Sequence, residues 1–65
     1  MGYMVREVRE ELHMTQEELA EKSGISRARI SAIENGTAKN VMMSTLLAIA
    51  KAMGVTLDKI FTVTV

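Results

Sequence analysis

Apolar residues recur along this chain at helical spacing, in short runs broken by glycines and polar clusters. Val5, Val8 and Leu12 stand at i, i+3 and i+7 with charges between them, which predicts a first helix stopping at His13. Thr15 with Glu18 three residues on is a capping-box pattern. The second helix it opens turns Leu19 and Ala20 inward, and Ser23-Gly24 ends it. Only Ile25 separates that glycine from Ser26, the expected cap of a third helix running to Glu34. Ile30 and Ile33 form its apolar stripe, and Asn35-Gly36 closes it. A polar loop, residues 37–40, leads to a fourth helix that carries Leu46, Ile49, Ala50 and Met53 and stops at Gly54. Residues 56–61, with Leu57, Ile60 and Phe61 apolar, predict a short fifth helix. The tail, Thr62-Val63-Thr64-Val65, alternates with period two and reads either as a frayed terminus or as a pairing strand. The pattern is all-α, five short helices in one domain, with a short C-terminal strand left open.

Composition narrows what such a bundle can do. A chain of 65 residues buries only about 60% of the surface its unfolded form exposes, so it has little stability to spare. It has no cysteine and one histidine, His13, which leaves neither a disulfide nor a zinc cluster to hold it. No metal and no other cofactor is expected. His13 reads as a turn residue, and neither a G-x-S-x-G elbow nor a Gly-rich phosphate loop occurs, so an enzyme is not expected. Nothing matches the run of about 18 uncharged apolar residues that crosses a membrane, and charge enters at Arg6 before a signal-peptide core forms. The expectation is a cytoplasmic protein without a membrane partner. Tyr3 and Phe61 are its two aromatic residues, too few for stacking on single strands or RNA.

Charge changes the picture through its distribution. Eight basic and eight acidic residues cancel. Yet in residues 1–21 only Arg6 and Arg9 stand against six glutamates, whereas in residues 22–41 Lys22, Arg27, Arg29 and Lys39 stand against Glu34 alone. A neutral protein with a basic middle can present a positive face.

That middle coincides with two helices joined by a tight turn. The stretch QEELAEKSGISRARISAIEN, residues 16–35, has helix-turn-helix spacing. Ala20 is small enough for a close crossing, and Gly24 suits the positive φ of the turn. At about 100° per residue, setting Ile30 and Ile33 inward makes Ala28, Ser31, Ala32 and Asn35 the outward wall, with Arg27 and Arg29 on opposite flanks. Small side chains between arginines suit a major groove, where they allow close approach and the cations reach guanine edges or phosphates.

The chain resembles the Cro/C1-type (XRE-family) helix-turn-helix domains of phage repressors and small bacterial regulators. The blocks TQEELAEKSGIS, IENG and LLAIAKAMGVTLDKIF carry the resemblance in that order, and it covers roughly residues 4–61. It implies a five-helix, lambda-repressor-like domain whose third helix reads double-stranded DNA, as a homodimer on a palindromic operator. Carried over by position, it implies that Gln16 contacts a phosphate and buttresses the recognition helix. Ser26, Arg27, Ala28, Ser31 and Ala32 would face bases, with Arg27 aimed at guanine. Arg29 and Asn35 would lie at phosphates, with Lys39 beyond the loop. It further implies a structural ion pair between Arg9 and Glu34.

Four positions depart from the family pattern. Ala32 stands where a long base-reading side chain is common, and alanine offers only a thymine-methyl contact, so readout would lean on Arg27 and DNA shape. His13 stands where glycine or asparagine commonly ends the first helix. Val41 and Met42 replace the usual proline and small polar cap before the fourth helix, leaving Asn40 as the alternative cap.

The function expected is a sequence-specific transcriptional regulator, a repressor or autoregulator. The alternative is a protein-interaction or antitoxin-like module on the same fold, binding a protein partner through Met42, Met43 and the tail.

Overall fold

Local backbone chemistry sets where each helix starts and stops. The computed structural model describes residues 3–61 and contains four α-helices: α1 Val5–Glu11, α2 Gln16–Ser23, α3 Arg27–Asn35 and α4 Met43–Met53. A single 3₁₀ turn, Leu57–Ile60, stands where the sequence predicts a fifth helix. The architecture is all-helical, and the predicted tail strand, residues 62–65, lies outside the described residues.

At the start of α2 the capping box is complete: Thr15 Oγ1 accepts the Glu18 backbone N–H at 3.0 Å, and Glu18 Oε1 accepts that of Thr15 at 2.8 Å. The Thr15 backbone bond holds the Glu18 carboxyl below the usual carboxylate range. Gly24 then takes φ 75°, a conformation costly for other residues, and Ser23 Oγ accepts the Ile25 N–H at 3.1 Å inside the turn. Ser26 Oγ accepts the Arg29 N–H at 3.1 Å and opens α3. Both N-caps satisfy backbone donors that a helix start would otherwise leave unmet.

The turn at His13 is as the sequence predicts, but one apolar position and one helix cap differ from that reading. His13 adopts φ 55° to leave α1, without glycine's freedom. Leu12 consequently falls outside the helix and is 44% exposed, although its spacing places it on the apolar stripe. Met14, after the turn, packs against the core. Before α4, Asn40 is not the cap. It takes φ 54° in the loop, and the N-cap is Met42, which provides no side-chain hydrogen bond.

The core is a single cluster drawn from every element: Val5 and Val8 of α1, Leu19 of α2, Ile30 and Ile33 of α3, Leu46, Ile49, Ala50 and Met53 of α4, and Ile60. α2 lies between α3 and α4, packing against both. The described segment closes on itself: the Met4 N–H donates to the Ile60 carbonyl at 2.6 Å, Tyr3 and Phe61 form an antiparallel bridge, and their rings stand 5.8 Å apart. Among the described residues no helix is long and apolar enough to cross a membrane.

Leu19, fully buried at the centre of this packing, is its most sensitive point. Leu19→Ala should cost about 3 kcal/mol, a large share of the stability of so small a domain. A thermal melt followed by circular dichroism should show the melting temperature of the variant lowered by about 10–25 °C.

Candidate nucleic-acid interface

The face of α3 opposite its buried isoleucines is open. Arg27, Ala28, Arg29 and Asn35 are exposed, while Ser31 and Ala32 are half-buried. Ala32 is partly covered because the chain after α3 folds back onto it: its carbonyl accepts the N–H groups of Thr37 at 2.9 Å and Ala38 at 3.1 Å. Gly36, at φ 79°, makes that reversal. Lys39, in the loop that follows, is exposed.

Behind this face lies a buried carboxylate. Glu34 projects from the last turn of α3 and has no solvent-exposed side-chain surface. Arg9 of α1 engages it with two bonds, Nε donating to Oε2 at 2.7 Å and Nη2 to Oε1 at 3.1 Å. The third arm of Arg9, Nη1, donates to the Met14 carbonyl at 2.8 Å, which ties down the turn between α1 and α2. Gln16, the first residue of α2, donates from Nε2 to Glu34 Oε1 at 2.9 Å. Its other end, Oε1, stands 3.5 Å from Arg27 Nε. The orientation of that amide follows from chemistry: arginine can only donate and a carboxylate only accept, so oxygen must face Arg27 and nitrogen Glu34.

Burial by itself raises the Glu34 carboxyl. The hydrogen bonds from Arg9, Gln16 and Arg6, with the charge of Arg9, outweigh it and hold its pKa below the usual carboxylate range. The bond to Glu34 likewise raises the Arg9 guanidinium above its ordinary value. Both groups are charged near neutral pH, and no buried side-chain donor or acceptor among the described residues lacks a partner.

Residues 5–60, nearly all of the described chain, match the helix-turn-helix family. The chain belongs to the Cro/C1-type helix-turn-helix family. Its members bind double-stranded DNA and regulate transcription without enzymatic activity, and this protein is a regulator of that class. It is 46% identical over 56 residues to an uncharacterised HTH-type transcriptional regulator of Methanothermobacter thermautotrophicus, spanning 83% of this chain and 77% of the relative. It is 40% identical over 58 residues to the control protein C.SmaI of Serratia marcescens, spanning 89% and 68% respectively. Its fold is similar to the crystal structure of the restriction-modification controller protein C.AhdI from Aeromonas hydrophila. The TM-score is 0.83 at 31% identity, covering 89% of this chain and 86% of that one.

Among the site residues of this regulator, the structure brings Gln16, Arg27, Arg9 and Glu34 into one hydrogen-bonded chain. Ser31 and Asn35 share a longer contact, Asn35 Nδ2 to Ser31 Oγ at 3.4 Å. Ser26 spends its side-chain oxygen on the cap of α3. Ala28, Arg29, Ala32 and Lys39 take no part in a side-chain hydrogen bond with another described side chain. Sequence reasoning left out Arg6, whose guanidinium reaches both Glu34 and Asn35. One signal was available: Arg6 precedes Arg9 by three residues, the helical spacing that puts both on one face.

Because the folded-state pKa of Glu34 is depressed, its contribution is complete above the ordinary carboxylate range and is lost as pH falls through the lowered value. Glu34→Gln should therefore lower the melting temperature at neutral pH, by about 3 kcal/mol of stability for a broken buried pair. It should also flatten the decline in melting temperature between about pH 5 and about pH 2. Melts across that range test this, and a variant whose acid limb matches the parent's would refute it.

Proposed function

We propose that this regulator binds a palindromic operator as a homodimer, with α3 seated in the major groove, and acts as a repressor or autoregulator. The observation that carries this reading is the division of α3: Ile30 and Ile33 are buried, while Arg27, Ala28 and Arg29 are exposed beside small residues. In this reading Arg27 reaches a guanine edge, and its proximity to Gln16 Oε1 favours one orientation of its guanidinium. Gln16, at the start of α2, meets a phosphate, and Ser26, at the start of α3, faces the bases. Ala28, Ser31 and Ala32 allow close approach, and Arg29, Asn35 and Lys39 meet the flanking backbone. Two of the similar proteins, C.SmaI and C.AhdI, are control proteins, which supports a regulator of this kind.

The dimer reading rests on a separate surface. Met42, Met43 and Leu47 are 65%, 54% and 45% exposed, and Met43 and Leu47 stand one turn apart on α4. Exposed methionine and leucine at helical spacing suit a self-complementary contact across a two-fold axis. The same surface also supports the second reading, a protein-interaction or antitoxin-like module.

Selection from a random pool of duplex DNA, with sequencing of the bound fraction, separates these readings. The expected outcome is an inverted repeat with half-site centres about 10 base pairs apart. A single half-site would overturn the dimer, and no enrichment by folded protein at low salt would overturn DNA reading in favour of partner binding. On the selected site, Arg27→Ala combined with Arg29→Ala should weaken binding roughly a hundredfold. Unchanged affinity would refute the assignment of α3.

A further inference from the structure

Arg6 has no part in the surface just described, yet its surroundings suit one. Its Nη2 donates to Asn35 Oδ1 at 2.8 Å, whereas its Nε stands 3.5 Å from Glu34 Oε1, at the outer limit of a hydrogen bond. Arg9 already supplies Glu34 with two close bonds and a compensating charge. One carboxylate thus faces two guanidiniums, and Glu34 alone neutralises one of them. The other is Arg6, whose side chain is 46% exposed against 11% for Arg9.

The neighbouring amide is set to cooperate. An arginine cannot accept, so the atom facing Arg6 is the oxygen of Asn35, and the amide nitrogen turns to the other side, near Ser31 Oγ. What this corner offers outward is donors: the remaining N–H groups of Arg6 and the Nδ2 of Asn35. The end of α3 also needs such help. Carbonyls at a helix C-terminus carry partial negative charge that disfavours an anion, and the last turn of α3 holds no basic residue of its own. Arg6 brings that cation across from α1.

We propose that Arg6 and Asn35 form a phosphate clamp where α1 meets the end of α3, taking one backbone phosphate of the DNA duplex. The clamp rests on the reading of α3 as the groove-facing helix. A phosphate contact is sequence-independent, so a labelled duplex of mixed sequence serves as the probe, titrated over a series of salt concentrations. Arg6→Ala should weaken binding about tenfold at low salt, the scale of one charge-assisted hydrogen bond. It should also lower the slope of log affinity against log salt by about one. Arg6→Lys keeps the cation and should keep the slope, which a role confined to bracing Glu34 would not require. An unchanged slope for Arg6→Ala, beside a reduced slope for Arg29→Ala, overturns the clamp and leaves α3 in place. Unchanged slopes for both overturn the α3 reading and the clamp with it. Thermal melts without DNA confirm that each variant folds. Should Arg6→Ala unfold, Arg6→Gln makes the same comparison, because it keeps a donor for Asn35 and removes the charge.

Discussion

A carboxylate stripped of solvent is costly unless its lone pairs are met, and Glu34 meets them only when three helices stand in register. Arg9 comes from α1, Gln16 from the first turn of α2, and Glu34 itself from the last turn of α3. A nine-residue helix has little stability of its own, so the orientation of α3 comes from what it packs against. Ile30 and Ile33 hold it to the core without specifying rotation finely. The bonds to Glu34 have strict distance and angle demands, and they specify it. Gln16 then extends the constraint outward, since the amide that serves Glu34 presents its oxygen to Arg27.

The same burial answers how a chain with zero net charge offers a positive surface. In residues 22–41 the sole acidic group is Glu34, and it is withdrawn from the surface and matched by Arg9. Arg27, Arg29 and Lys39 therefore stand exposed with no solvent-exposed carboxylate among them in that stretch. The six glutamates of residues 7–21 all lie on α1 and α2, so most of the acidic side chains are on elements other than α3.

Features governed by near neighbours were legible in the sequence. The Thr15–Glu18 box, the Ser26 cap and the glycine ends of α2, α3 and α4 are local chemistry, with every partner within a few residues. Period alone placed Leu19, Ile30, Ile33 and Met53 in the core. What escaped was decided by the path of the chain. Leu12 has the correct spacing for the core, but a left-handed residue one step later redirects the backbone, and Met14 beyond it packs against the core. The start of α4 could not be read because its cap uses no side chain. Arg6 escaped because its partners lie 28 and 29 positions away, and its shared face with Arg9 was the one pointer to them.

The contact between Tyr3 and Phe61 brings the two ends of the described segment to one corner of the molecule. Topologically the fold is a near-closed ring, which is the arrangement that tolerates circular permutation. A short tether joining the two ends would stay within this corner, and new termini could open in the loop between α3 and α4, where Asn40 is exposed. The buried carboxylate and its partners all precede that loop and would remain on one continuous stretch of chain. Cutting there would break the direct link between the unit that orients α3 and the helix that completes the core, and so would show whether the two find each other without it.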